Sequence, residues 1–212
     1  VYLADYDTKI EVTPTERAAY FRFTFPKTDN AYVLIDAFDK GSYVEVIPSQ
    51  RKIIGYSTKN SGGVPANFKN YFVLHFDRDF KNVATFADSV LSDDRLLIKA
   101  DHVGAIVGFS IKDKSDQVLV KIASSFISAE QAEINLKEVG NQSFDQVMKQ
   151  GEEVWNKELG KIEVSGGTID QLRTFYSCLY RSLLFPRIFY EYDAEGKAIH
   201  YSPYNGQVLP GY

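Results

Sequence analysis

The stretch Tyr20-Phe21-Arg22-Phe23-Thr24-Phe25 indicates the fold class of this chain. Its three phenylalanines alternate with Arg22 and Thr24, so an extended backbone would place the aromatic rings on one face and the polar groups on the other. Alternation with a period of two is the pattern of a strand that is buried on one face only. The stretch therefore predicts a β-sheet packed against a core.

Similar short runs, separated by turns rich in Gly, Pro, Asn and Asp, continue to about residue 126. About ten strands or more are expected, which is more than the seven strands of an immunoglobulin-like domain. This number favours an antiparallel sandwich of two large stacked sheets. The first residues, Val1-Tyr2-Leu3, also have the pattern of a strand. The other predicted strands are 8–12, 17–25, 31–38, 43–47, 52–56, 71–76, 95–99, 103–111 and 118–124.

Three helices are predicted after Phe126, each beginning at a capping box of the form Ser/Thr-x-x-Gln. The boxes begin at Ser128, Ser143 and Thr168. The second helix is expected to end at Gly160, and Trp155 on its apolar stripe is interpreted as a packing residue. The stripe consists of Phe144, Val147, Met148, Val154, Trp155 and Leu159.

The third helix carries a broad apolar face and is expected to end at Pro186. Too little chain follows it to bury this face, so we expect more polypeptide to pack there. Cys178, the one cysteine, lies in this helix and is interpreted as a buried structural thiol. A hairpin is predicted over residues 189–200 around Glu195-Gly196, and loop signals follow it.

Composition and charge exclude several classes of partner. The chain of 212 residues is 44% hydrophobic and 25% charged, as in an ordinary globular protein. Its net charge of −4 and its scattered Lys and Arg residues provide no basic field, so nucleic acid and membrane surfaces are not expected partners. No apolar run approaches the roughly 20 residues of a membrane helix.

The start of the sequence is expected to have been set by processing, by trimming or by the choice of the expressed segment, and its end is expected to be a truncation. The chain begins at Val1 without Met, and no signal segment precedes the first strand. The last residues, up to Tyr212, close no element. We therefore expect a truncated chain.

Motifs for common chemistries are not found. The sequence has no Gly-rich phosphate loop, no His or Cys pair at metal-ligand spacing and no Gly-x-Ser-x-Gly elbow. His75, His102 and His200 each neighbour a strand pattern and are interpreted as structural. No pair of carboxylates can be assigned as a glycosidase acid and base, since sequence spacing does not reveal such a pair. Solvated positions are expected for Asp36, Asp39, Glu45, Glu152, Glu153 and Glu158.

The longest irregular stretch, residues 58–69, contains Asn60-Ser61-Gly62-Gly63-Val64-Pro65. Long loops on a rigid sheet often carry functional sites, although a plain connection is an equal alternative. This loop, the run Ala123 to Ala132, the run Phe175 to Arg187 and the segment Tyr201-Ser202-Pro203-Tyr204-Asn205-Gly206 resemble glycoside hydrolase family 92. The resemblance spans nearly the whole chain.

The resemblance implies a mainly β fold: a large antiparallel β-sandwich of the galactose-mutarotase type, linker helices, and an (α/α)6 catalytic barrel. On this basis residues 1–140 are the sandwich domain, 141–161 a linker helix, and 162–212 the start of the barrel, with its first helix and hairpin. The implied activity is calcium-dependent, inverting, exo-acting hydrolysis of α-mannosides in glycans, with α-1,2 linkages preferred. A periplasmic, cell-surface or secreted location is also implied.

The resemblance places the family's catalytic acid, catalytic base and calcium ligands outside this chain, so no catalytic residue is assigned here. Its implied partners are a mannose-containing glycan and the remaining polypeptide of the barrel. We expect the cleft between the domains to be lined by Asn60, Ser61, Tyr201, Tyr204 and Asn205. Two alternatives remain open: a stand-alone carbohydrate-binding or adhesin sandwich, and a purely structural domain.

Overall fold

The computed structural model describes residues 1–113, 116–185 and 187–212. Its N-terminal part is a β-sandwich in which an eight-stranded sheet faces a four-stranded sheet. The sandwich strands are β1 (Tyr2–Leu3), β2 (Thr8–Pro14), β3 (Ala18–Thr24), β4 (Thr28–Asp36), β5 (Ser42–Ile47), β6 (Lys52–Ser57), β7 (Asn70–Phe76), β8 (Asn82–Ala87), β9 (Val90–Ser92), β10 (Leu97–Ala100), β11 (Val103–Ile111) and β12 (Gln117–Ser125).

All strand pairings are antiparallel, and the two sheets enclose the main core. The large sheet has the order β1-β2-β3-β12-β7-β6-β5-β10, and the small sheet has the order β4-β11-β8-β9. Alternation sets the inward face: Val44 and Val46 of β5 are buried, whereas Tyr43 and Glu45 are only half-buried. Strand β11 is central and is nearly all buried, with Phe109 1% exposed.

The predicted strands are confirmed within a few residues, but β8 and β9 were missed. Their hairpin turns through Asp88 and Ser89, which both have positive φ (47° and 75°). Glycine or asparagine ordinarily marks such a turn, and neither is present here. The sequence therefore lacked the signal that identifies a tight hairpin.

Three helices follow the sandwich: α1 (Ala129–Asn135), α2 (Phe144–Leu159) and α3 (Ile169–Ser182). The capping boxes of α2 and α3 are complete. At α1 only half of the predicted box forms, because the Ser128 hydroxyl accepts a bond from the Gln131 N–H whereas the Gln131 side chain turns away. All three predicted helix starts are confirmed.

A second core lies on the outer face of the large sheet, where α1 and the first turns of α2 cover it. Phe144 and Val147 of α2 are buried there, and the Phe144 ring lies 5.7 Å from Tyr20. The predicted stripe along α2 is only partly correct, since Met148 and Val154 are 44% and 60% exposed. The C-terminal half of α2 extends beyond the sheet, and Trp155 packs on Tyr180 of α3 at 4.6 Å.

Helix α3 has no buried residue, although its apolar face was predicted from periodicity. The expectation that Cys178 is buried is wrong for this chain, because the thiol is exposed on a helix that has no buried residue. Pro186, the predicted helix stop, lies outside the described residues. None of the described helices has the length and apolar content needed to cross a membrane.

The chain ends in a three-stranded antiparallel sheet of β13 (Tyr190–Tyr192), β14 (Ala198–Tyr201) and β15 (Val208–Pro210), in that order. Strands β13 and β14 are the predicted hairpin, closed by the Gly196 N–H donating to the Asp193 carbonyl at 3.1 Å. Strand β15 was not predicted, because Pro210 and the surrounding glycines have the composition of a loop.

Candidate functional site

The loop over residues 58–68 is shaped by Asn60. Its Nδ2 donates to the Thr58 carbonyl at 2.8 Å, and its Oδ1 accepts the Gly62 N–H at 2.7 Å. Gly62 and Gly63 then adopt φ values of 98° and 77°, which other residues rarely adopt. Asn60 therefore holds the loop with both ends of its amide.

This loop borders an open pocket of about 430 Å³ with mixed polar and apolar walls. The Thr58 hydroxyl donates to backbone carbonyls of Lys40 and Gly41, so it is already occupied. No hydrogen bond between described residues occupies the Ser61 hydroxyl. Such a wall provides hydroxyl, amide and ammonium groups for a neutral polar ligand. The lining residues are Lys40, Thr58, Asn60, Ser61, Gly62, Val64, Pro65, Ala66 and Phe68.

Asn67 joins this loop to the C-terminal sheet. Its Oδ1 accepts the Tyr201 hydroxyl at 3.1 Å, and its Nδ2 donates to the Gly206 carbonyl at 2.9 Å. Burial raises the pKa of Tyr201, which keeps its phenol protonated as a donor. A Cβ on Gly206 would lie 2.2 Å from the Asn67 Oδ1, so only glycine allows this approach. Loop 58–68 and segment 201–206 are therefore held together, 139 residues apart in sequence.

Aromatic rings fill the space behind this junction. The Phe68 ring lies 6.0 Å from Tyr201 and 5.7 Å from Phe126, and Phe126 lies 6.3 Å from Phe189. Aromatic pairs at such separations add packing energy beyond the burial of their surface. The cluster fixes the loop of the sandwich against the C-terminal sheet.

The structure brings the two predicted segments together but gives their residues different roles. Tyr201 is buried and packs rather than facing solvent. Asn205 bonds locally to Gln207, accepting its N–H at 3.0 Å. Tyr204 is 93% exposed, so its ring is available for contact. Asn67 was not predicted, because no motif separates an asparagine that bridges two segments from one that shapes a turn.

Three carboxylates of the sandwich have partners of their own. Asp39 pairs with Lys59, and Asp36 lies 2.7 Å from the His102 Nε2. Glu45 accepts the Tyr43 hydroxyl at 2.6 Å, and burial together with this bond raises the pKa of Tyr43 to about 12. The described residues contain no group of three or more His, Cys, Asp or Glu side chains that could hold a metal ion.

The remaining histidines also have partners. His200 Nδ1 lies 3.0 Å from the Gly211 carbonyl, and His75 Nε2 lies 2.7 Å from a Glu133 carboxylate oxygen, in an orientation that forms no hydrogen bond. These contacts agree with a structural interpretation of the histidines.

Comparison with known proteins identifies the two parts of the chain. Residues 1–125 match the model of the glycosyl hydrolase family 92 N-terminal domain, and residues 131–211 match the model of the family 92 catalytic domain. A search of curated proteins found no match.

Solved structures are similar over the whole chain. A family 92 inverting mannosidase from Bacteroides thetaiotaomicron is 39% identical over 100% of this chain, with a TM-score of 0.95. A family 92 alpha-mannosidase from the same organism is 28% identical over 100% of the chain, with a TM-score of 0.85. The latter was also solved in complex with mannoimidazole, at 28% identity and a TM-score of 0.84.

The chain spans only 28 to 29% of the length of these proteins. The match nevertheless covers the sandwich, the helices and the C-terminal sheet without interruption. With both family models aligned in the same order as the two structural parts, the chain belongs to glycosyl hydrolase family 92.

Proposed function

We propose that the protein containing this chain is an inverting exo-acting glycoside hydrolase that removes terminal α-linked mannose from glycans. The observation that carries the proposal is the 39% identity and TM-score of 0.95, over the whole chain, to an inverting mannosidase. The binding of mannoimidazole by a second relative supports a mannose-like ligand.

In this proposal the chain supplies the sandwich and one wall of the sugar site. The open pocket beside loop 58–68 and the exposed ring of Tyr204 lie on the two segments that Asn67 joins. A sugar presents hydroxyls to hydrogen-bonding groups and C–H faces to aromatic rings. Ser61 and Tyr204 are therefore the residues proposed to contact mannose, while Asn60, Tyr201 and Asn205 hold the wall in shape.

Inverting hydrolysis needs a general acid at the leaving oxygen and a general base that activates water on the opposite face. The two carboxyl groups stand roughly 6.5 to 9.5 Å apart to admit that water. No carboxylate of the described residues lines the pocket beside loop 58–68, and Asp39 is paired with Lys59. We propose that both catalytic carboxylates come from polypeptide outside these 212 residues.

Calcium dependence is also proposed on the strength of the family. The described residues do not fit a calcium centre, since their carboxylates do not cluster. We therefore propose that the calcium ligands belong to polypeptide outside these 212 residues.

We propose α-1,2-linked mannose of N-glycans as the substrate and a periplasmic, surface or secreted location. The stand-alone binding module is disfavoured, because residues 131–211 match a catalytic-domain model and the described residues bury no side chain of α3. The same features disfavour a purely structural domain.

The test uses the natural full-length protein with α-1,2-, α-1,3- and α-1,6-mannobiose. Release of mannose, fastest from the α-1,2 disaccharide and lost with a chelator, is expected. Residues 1–212 produced alone are expected to release none. Equal inactivity of the full-length protein on all three disaccharides would reject the proposal, and chelator-resistant activity would reject the calcium part alone.

A further inference from the structure

We infer that Glu191 is a positioning residue, which sets the wall of the sugar site by holding the C-terminal sheet against the sandwich. The inference rests on the proposed function. Glu191 lies on β13, away from the cavity and from Tyr204, and does not itself reach the proposed ligand. It acts through segment 201–206.

The Glu191 carboxylate is buried and is stabilised by neutral donors. Glu191 is 5% exposed. One oxygen accepts the Phe126 N–H at 3.0 Å, and the other accepts the Asn135 Nδ2 at 2.6 Å. No ion pair between described residues includes Glu191. A buried carboxylate without a cation is costly unless its acceptors are satisfied, so these two bonds favour the observed position of β13.

Both neighbours of Glu191 on β13 are held in the same way. The Tyr190 carbonyl accepts a bond from the Arg17 Nε at 3.0 Å, and the Tyr192 carbonyl accepts one from the Gln131 Nε2 at 2.7 Å. Three consecutive residues of this strand are thus held by the sandwich and α1. This explains why Gln131 leaves its capping box.

Phe126 connects the bonds that hold β13 to the proposed sugar site. Its N–H binds Glu191, and its ring contacts Phe68, which in turn contacts Tyr201. Tyr201 ends β14, the strand paired with β13, where Glu191 lies opposite Ile199. Glu191 is therefore part of a closed circuit of contacts that includes the loop of the cavity and the start of segment 201–206.

A carboxylate is required at this position because both partners are donors. Glutamine has nearly the same shape, but its amide would direct one N–H₂ group at either the Phe126 N–H or the Asn135 amide. Glu191→Gln should therefore release β13 even though it removes a buried charge. Glu195→Gln, in the exposed turn of the same hairpin, is the matched control.

The experiment compares wild type, Glu191→Gln and Glu195→Gln in the natural full-length protein, well below the melting temperature. Amide hydrogen exchange over residues 198–206 is expected to accelerate at least about tenfold in Glu191→Gln only, as local opening becomes easier. With an α-mannoside, KM is expected to rise at least about fivefold with kcat within about twofold. Asn67→Ala should raise KM similarly, and the double variant should be no worse than the more affected single variant.

A lower melting temperature with unchanged exchange and unchanged KM would overturn the inference, as would additive effects of Glu191→Gln and Asn67→Ala. If Glu191→Gln does not fold, Gln131→Ala serves instead, because it removes the bond to the Tyr192 carbonyl of the same strand. This variant must then show the same exchange pattern. If the wild type releases no mannose, the proposed function fails, whereas hydrogen exchange still decides the role of Glu191.

Discussion

The sandwich and helix α3 carry equally clear apolar patterns but end in opposite environments. Strand β11 of the sandwich buries Val103, Val107 and Phe109 almost completely, whereas α3 leaves Ile169 61% exposed. The period of two along a strand and of 3.6 along a helix each predict an apolar face, but neither indicates what covers it. Periodicity thus identifies a buried face only where the chain also contains its partner.

The comparison is tested most strongly by removing one large side chain from each region. Phe109→Ala is expected to lower the free energy of unfolding of the chain by about 3 to 5 kcal/mol, because the ring packs on Phe76 and Phe80 and would leave a cavity. Ile169→Ala on α3 is expected to cost less than about 0.5 kcal/mol. Urea unfolding of both variants measures the difference, and equal losses would show that α3 is packed in this chain.

The sequence-based prediction succeeded where contacts are local. The strands of the main core and the caps at Ser143 and Thr168 follow from patterns of a few residues, and the structure confirms them. The prediction failed where a residue that is distant in sequence determines the position of a side chain. The Gln131 side chain donates to the Tyr192 carbonyl instead of completing the capping box, and the Asn67 side chain donates to the Gly206 carbonyl. No local sequence pattern encodes either bond.

The candidate site shows the same division. The resemblance pointed to two segments that the structure holds together through Asn67, but it did not show which side chains face outward. Tyr201 and Tyr204 look alike in sequence, yet one is buried on Phe68 and the other is 93% exposed. Only the three-dimensional pairing of β14 with β15 separates them.

A second prediction concerns the contact between the sandwich and Glu138, which lies in the segment that follows α1. Glu138 accepts bonds from the Thr15 hydroxyl at 2.6 Å and from the Arg17 side chain at 2.8 Å, and the Arg17 side chain is 9% exposed. Glu138→Ala is expected to destabilise the chain by about 2 to 3 kcal/mol, because it leaves a nearly buried guanidinium without this carboxylate. Glu152→Ala, on the exposed face of α2, is the control in the same unfolding assay. Equal stability of the two variants would contradict the assigned role of Glu138.

A smaller effect is expected from pH at the contact between the sandwich and α2. Hydrogen bonds from Arg22 and then Lys9 lower the pKa of Glu11 from 4.5 to about 2. A lowered folded-state pKa adds stability above about pH 4.5 that is lost as the pH falls towards 2. Because the pair is partly exposed, about 1 kcal/mol is expected. Unfolding of wild type and Glu11→Gln, compared between pH 6 and pH 2.5, should converge at low pH, and a constant difference would contradict this assignment.

The smallest stability effect is expected at the exposed wall of the candidate site. Tyr204→Ala should leave the unfolding free energy within about 0.5 kcal/mol of wild type, since its ring is solvent-exposed. In the full-length protein the same change is expected to raise KM for an α-mannoside, as is Ser61→Ala. Tyr6→Ala, at another exposed tyrosine (65%) near the start of the sandwich, provides the control. Unchanged KM in both Tyr204→Ala and Ser61→Ala would remove the wall from the sugar site.

The stereochemistry of mannose release tests the central claim most directly. The full-length protein is mixed with an α-mannoside, and proton NMR records which anomer appears before mutarotation. Initial formation of β-mannose is expected from an inverting α-mannosidase. Initial formation of α-mannose, or no release of mannose, would contradict the account.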